Sequence, residues 1–332
     1  MTQEALLRLP VPPRPIAPRA PAHGSWEAAR QAMERRRELR STPDGLRPCR
    51  FETLENAAER LFARGLGLVG LAERAVRNAL DVRLVEQELA LPGLPAAFDG
   101  YAILHLSDLH LDGHPALPAA VIDAVRGVDA DLAVLTGDYQ FTDGGDFAPA
   151  IEPLARLRRA LQPREGVLAV LGNHDLAALA PVLDELGFEL LVNEGAERTR
   201  GRHALAVAGL DDVHRFYTPA ARACLRAHRP AGRSFGMALV HSPEMAAEAA
   251  EDGYGLYLCG HTHGGQVCLP GGVPLITHMD RRGGRLPRRL AGGVWQLAGM
   301  TGVTNIGAGF SGIPARFAAR PQVLRLVLRR AG

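Results

Sequence analysis

Residues 101–112 read YAILHLSDLHLD: a six-residue, mostly apolar run, then Ser107-Asp108-Leu109-His110. The run has the length and texture of a buried strand, and the polar cluster begins where it stops. The same arrangement recurs four times. LAVLT (132–136) runs into Gly137-Asp138, and VLAVL (167–171) into Gly172-Asn173-His174-Asp175. GMALV (236–240) runs into His241, and GLYLC (255–259) into Gly260-His261-Thr262-His263. Helical spacing lies between these runs at about 117–127, 147–161, 176–186, 219–228 and 243–251. Further strand-like segments stand at 82–91, 204–208, 294–299 and 322–328. Alternating strands and helices predict an α/β fold with helices packed outside a central sheet system. In open α/β sheets, sites form beyond the carboxyl ends of the strands, so the five clusters are expected to converge.

The converging side chains are Asp, Asn and His, with no thiolate. That donor set suits hard or borderline divalent ions such as Mn, Fe or Zn. Seven donors, Asp108, His110, Asp138, Asn173, His241, His261 and His263, are too many for one ion and suit two that share a carboxylate. Asp108 and His110 are two apart, as are His261 and His263; in extended backbone each pair points to one side. Asn173 and His174 are adjacent and should point differently, one toward metal and the other toward substrate. Taken singly, each fragment has an ordinary reading. D-x-H occurs in turns, G-D is common turn chemistry, Asn and Asp cap helices, and a histidine after an apolar strand is usually a hydrogen-bonded core residue. All five in this order, each at a strand end, favour the metal reading.

The set D-x-H, G-D, G-N-H-D, a lone His and G-H-x-H resembles the calcineurin-like metallophosphoesterase superfamily over about residues 82–330. "LHLSDLHLD", "GHTHGGQ" and the tail "TNIGAGFSGIPARFAARPQVLRL" (304–326) are similar to the bacterial branch that includes UDP-2,3-diacylglucosamine pyrophosphatase-like and general phosphodiesterase members. That branch usually has R-G-x-G near the tail, where NIGAG (305–309) stands here. The resemblance implies a four-layer α/β/β/α sandwich and two divalent ions. One would be held by Asp108, His110, Asp138 and His263, the other by Asp138, Asn173, His241 and His261. It also implies a metal-bridging hydroxide as nucleophile, His174 as general acid and Asp175 orienting His174. Protein phosphatases of the superfamily read G-D-x-V-D-R-G and G-N-H-E, whereas this chain has GDYQFTDGG and GNHD. The expected substrate is therefore a small phosphodiester or a nucleotide or lipid pyrophosphate. A phosphomonoesterase is the alternative, and a non-catalytic metal-binding scaffold is the rival of another class.

Composition bounds the rest. The 332 residues are 47% hydrophobic, enough for a large core, and the net charge of +2 gives no sign of a nucleic-acid partner. Every basic side chain is Arg; ten fall in residues 281–330 with no acid among them. Five of these, Arg281, Arg282, Arg285, Arg288 and Arg289, lie in the loop DRRGGRLPRRL (280–290), which could grip a phosphate or an anionic head group. AGLDDVHR (208–215), with Asp211, Asp212 and His214, reads as a structural loop, and His105 as core. Four dispersed cysteines (Cys49, Cys224, Cys259, Cys268) read as reduced thiols, not metal ligands. Residues 1–24 are Pro-rich and read as a disordered tail, and 25–81 as a helical extension capped by Ser25. No secretory h-region is present, and GLGLVGLA (65–72) is far short of the ~20 residues needed to span a bilayer. The apolar stripe of 52–80 is expected to pack on the catalytic domain, with the inner face of the membrane as the alternative, and a cytoplasmic location is expected.

Overall fold

The computed structural model describes residues 26–36, 39–42, 45–48, 61–143, 145–270, 273–274 and 287–332. In chain order the principal strands are β1 (Arg83–Leu91), β2 (Ala102–Leu106), β3 (Leu132–Thr136), β4 (Val167–Val170), β5 (Glu189–Leu190) and β6 (Glu194–Arg200). There follow β7 (His203–Gly209), β8 (Ser234–Leu239), β9 (Leu256–Cys259), β10 (Gly293–Leu297), β11 (Met300–Thr304) and β12 (Gln322–Arg330). The principal helices are α1 (Trp26–Glu34), α2 (Ala72–Leu80), α3 (Leu117–Val125), α4 (Ala148–Ala160), α5 (Ala180–Glu185), α6 (Pro219–Ala227) and α7 (Ala246–Glu251). One six-stranded sheet has the order β1-β12-β2-β3-β4-β5, the other β10-β11-β9-β8-β7-β6. In the first, β2 to β5 run parallel; in the second, β7, β8, β9 and β11 do.

Side-chain alternation along each strand assigns the layers. Ile103, Leu132, Val134, Leu168 and Val170 share one buried cluster with Leu205, Val207, Met237, Leu239, Leu256 and Leu258, so the two sheets pack face to face. The intervening residues Leu104, Leu106, Ala133, Leu135 and Ala169 turn the other way, onto Leu117 and Val121 of α3, Leu154 and Leu157 of α4 and Leu183 of α5. On the far side, Ala208, Ala238, Tyr257 and Cys259 meet Ala221 and Leu225 of α6 and Ala246 and Ala249 of α7. The result is the expected α/β/β/α sandwich. Because both faces of the central strands are covered, their sequences are continuously apolar.

Two strands differ from the sequence reading. β6 (EGAERTR) carries no apolar alternation and exists because it pairs antiparallel with β7 at the sheet edge. The run 294–299 is not one strand. It turns at Ala298 (φ 47) and Gly299 (φ 86), giving a two-residue hairpin between β10 and β11. In the extension, the stretch 52–80 is described from residue 61. It is helical over 61–68, breaks at Gly70 (φ 70) and resumes as α2. Leu66 and Ala75 are buried against Ala315, with Ile313 and Phe317 beside them, so one apolar stripe packs on the sandwich. Leu61, Leu68 and Val69 face outward. A short antiparallel hairpin, Leu39–Thr42 with Gly45–Pro48, lies within the stretch 25–81 read as a helical extension. The Pro-rich tail, Ser25 and Cys49 lie outside the described residues. No helix among the described residues is long and apolar enough to cross a membrane.

Candidate active site

All five clusters lie at the same end of the sandwich, immediately after β2, β3, β4, β8 and β9. The loops are stitched together by backbone bonds. Asp108 N donates to Gly137 O at 3.0 Å, His110 N to Asp138 O at 3.0 Å, and Gly260 N to His241 O at 2.8 Å. His261 N donates to both carboxylate oxygens of Asp108 at 3.0 Å. Two motif glycines are required by this crowding. A Cβ on Gly172 would strike the Asp138 carboxylate, and one on Gly260 would strike Ser107 and Asp108. The tail loop seals the floor: Asn305 Nδ2 donates to His105 O at 2.9 Å, and Gly309 N to Asp108 O at 2.7 Å. NIGAG thus ties the second sheet to the loop after β2.

The pairs two residues apart converge, but not through extended backbone. Asp108 (φ 50), His110 (φ 41), His261 (φ 72) and His263 (φ 50) are all left-handed, as is Asp138 (φ 59). These five are among nine non-glycine residues with positive φ among the described residues. Such conformations cost of order 1–3 kcal/mol each and persist where the surroundings over-determine them.

The seven candidate donors fall into two groups. His263 Nε2 lies 3.4 Å from Asp108 Oδ1 and 3.3 Å from His110 Nε2. Asn173 Oδ1 lies 3.0 Å from His241 Nε2 and 2.8 Å from His261 Nδ1. Asp138 Oδ2 stands between the groups, 3.6 Å from His110 Nε2 and 3.4 Å from His241 Nε2. The other ring nitrogens fix the tautomers. His110 Nδ1 meets Gln140 O at 2.8 Å and His241 Nδ1 meets Thr136 O at 2.7 Å, so both must carry the proton there. His110 thereby keeps an Nε2 lone pair aimed inward, and His241 Nε2 faces Asp138 Oδ2 and Asn173 Oδ1.

Electrostatics agree. Burial pushes the Asp108 carboxyl up to about 6, with nearby Asp138 adding to the rise. Burial opposes a charge on His241, yet Asp138 and Asp108 outweigh it and raise the ring to about 10. Buried His110 is held down to about 3. Buried lone pairs and carboxylates that draw a proton onto His241 form a donor set that calls for cations, and two divalent ions fit it.

His174 and Asn173 contact different partners: Asn173 Oδ1 meets His241 and His261, while His174 meets Phe141 and His110. Its Nδ1 meets Phe141 O at 2.8 Å, and its ring packs edge-on to His110 at 4.8 Å. Burial works to lower its pKa, but Asp138 and Asp143 raise it on balance. Asp175 does not orient this ring. Its two oxygens accept from the amides of Gly172 (2.7 Å), Asp138 (2.8 Å) and Tyr139 (2.8 Å), so it holds the backbone of the two loops and leaves orientation to Phe141.

Asp212 is structural as read, accepting from Arg215 N at 2.8 Å; His214, however, sits at the site, its ring 4.2 Å from that of His261. His105 is buried core, bonded to Thr136 Oγ1 at 2.9 Å. Cys224, Cys259 and Cys268 are free and buried. Arg281, Arg282 and Arg285 lie outside the described residues, and Arg288 and Arg289 are exposed.

Two arginines had no functional reading in the sequence. Arg316 is fully buried, donating to Gly309 O (2.6 and 2.9 Å), His263 O (3.2 Å) and Ile306 O (2.9 Å) around the His263 loop. Arg30, on α1, is also fully buried. It pairs with Asp211, donates to Gly172 O and Asp175 O at 2.7 Å each, and lies 4.2 Å over the Phe216 ring. In sequence both look like solvated charges.

A family model described as calcineurin-like phosphoesterase matches residues 101–265. The chain is 30% identical over 244 residues to YkuE, an uncharacterized metallophosphoesterase of Bacillus subtilis, covering 71% of this chain and 82% of that protein. YkoQ of the same organism is 27% identical over 261 residues (75% of this chain, 92% of that protein). Phosphodiesterase YaeI of Escherichia coli is 26% identical over 197 residues (55% and 68%). The chain belongs to the calcineurin-like metallophosphoesterase family. It is a phosphoric ester hydrolase that uses divalent metal ions.

Proposed function

We propose that the protein hydrolyses phosphodiester or pyrophosphate bonds at a dinuclear centre bridged by Asp138. The observation that carries this reading is the place of Asp138 Oδ2, between His110 Nε2 on one side and His241 Nε2 on the other. Asp108, His110, Asp138 and His263 would hold one ion and Asp138, Asn173, His241 and His261 the other, with Mn, Fe or Zn suited to the donors. Such a pair supplies a hydroxide at neutral pH and neutralises the phosphoryl oxygens.

The protein's own groups do the rest. Asn173 and His174 sit on one loop, Asn173 against His241 and His261 and His174 beside His110 and Asp138, so substrate bound at the centre would meet His174. With Nδ1 committed to Phe141 O, His174 offers Nε2 to the departing oxygen. As a water-derived oxygen bonds to phosphorus, the P–O bond to the leaving group breaks, and the His174 proton passes to that oxygen. A cavity of about 360 Å³ beside His174 leaves room for a second ester arm, which supports a diester over a monoester. The name of the YaeI relative supports the same reading.

The test is hydrolysis of bis-p-nitrophenyl phosphate beside p-nitrophenyl phosphate by metal-stripped protein reloaded with Mn. Metal-dependent turnover of the diester is expected. Turnover of the monoester alone would make the protein a phosphomonoesterase, and silence on both without bound metal would make it a scaffold.

A further inference from the structure

α1 lies well outside the segment shared with the family, residues 101–265, yet it is built into the active site. Arg30 bonds both ends of the Gly172–Asp175 turn and pairs with Asp211 from the opposite sheet. Four residues on, Glu34 accepts from Ala177 N at 2.7 Å and faces Arg30 Nε at 3.3 Å. These bonds fix the helix as a wall. Gln31 of α1 and Arg35, the residue after it, line the 360 Å³ cavity together with Asn173, His174 and Arg215.

The charges around that cavity do not cancel evenly. Asp175 is committed to three backbone amides, Glu34 to Ala177 N and Arg30, and Asp143 to Arg215. Arg35 alone among the lining cations is exposed with no side-chain bond to a described residue. A guanidinium so placed favours an oxyanion, which it can take with two parallel hydrogen bonds. The lining is otherwise polar, with Leu176 and Phe216 its apolar members, so an acyl chain would gain little there.

We infer that α1 completes a leaving-group subsite beside His174, and that Arg35 in it grips an anionic oxyacid group, phosphate or carboxylate, on the departing alcohol. This rests on the diester reading and on His174 as the acid, since what His174 protonates must depart into this cavity.

The experiment compares methyl 4-carboxyphenyl phosphate with methyl 4-chlorophenyl phosphate, whose phenols are of similar acidity but differ in charge. Mn-loaded wild type, Arg35→Ala and Arg35→Lys would be assayed, with Asp138→Asn as the blank. Wild type should prefer the carboxylate by about tenfold in kcat/KM, mainly through KM, the low end for a hydrogen-bonded charge at an exposed rim. The preference should fall to about one in Arg35→Ala and partly return in Arg35→Lys. A wild-type ratio near one, or a preference that survives Arg35→Ala, overturns the subsite and leaves the diester reading intact. Failure of the wild type to turn over either diester overturns the diester reading and the subsite with it.

Discussion

In the proposed mechanism His174 is the acid, and its surroundings give it a signed pH dependence. Burial disfavours its charged form, but Asp138 and Asp143 leave its pKa raised above the ordinary histidine value. As a proton donor it acts only while protonated, so activity on poor leaving groups should fall as pH rises through that raised pKa. Asp143→Asn removes one of the raising charges and should move the alkaline limb of kcat to lower pH. His174→Ala should abolish the limb and cost about 10²–10⁴-fold on alkyl leaving groups, less on p-nitrophenolate, with metal content retained. Rate profiles with both leaving groups check this, and loss of metal in His174→Ala would sink the role. At this scale the sequence was informative, because a metal centre demands particular side chains at particular strand ends. What it hid was backbone. The left-handed φ of Asp108, His110, Asp138, His261 and His263 has no compositional signature. Nor does the use of Asp175, whose partners are amides that every residue carries.

Among the elements, α1 shows why some of the structure was illegible. WEAARQAMERRREL, in the stretch read as a helical extension, is a short charged segment, and nothing local marks Arg30 as different from its neighbours. Its role comes from Asp211 and the Gly172–Asp175 turn, more than 140 residues away. β6 was missed for the same reason: its pairing with β7 overrides its polar sequence. The apolar strands β2, β3, β4, β8 and β9 were legible because burial on both faces leaves only one texture. Arg30 also carries a stability prediction. Arg30→Met leaves Asp211 buried without its counter-charge, a loss of the kind that costs about 3–5 kcal/mol. Asp211→Asn in the same chain should recover part of that, so the double variant should be less destabilised than the sum of the singles. Urea melts of the four proteins measure the coupling, and strict additivity would show that the pair does not interact.

For the whole molecule, two sheets deliver loops from opposite layers to one edge, and the donors divide accordingly. Asp108, His110, Asp138 and Asn173 come from the first sheet, and His241, His261 and His263 from the second. Each donor group draws on both sheets, so the ions would bridge the sandwich as well as activate substrate. Asp138 Oδ2 faces one histidine of each group, 3.6 Å from His110 Nε2 and 3.4 Å from His241 Nε2. The most direct test is therefore metal stoichiometry, measured by elemental analysis after stripping and reloading with Mn, on wild type and Asp138→Asn. Two ions per wild-type chain, at most one in the variant, and a loss of at least about 10³-fold in diester hydrolysis are the predicted results. Two ions and near-wild-type turnover in Asp138→Asn, or a fully active wild type holding a single ion, would contradict the bridged centre.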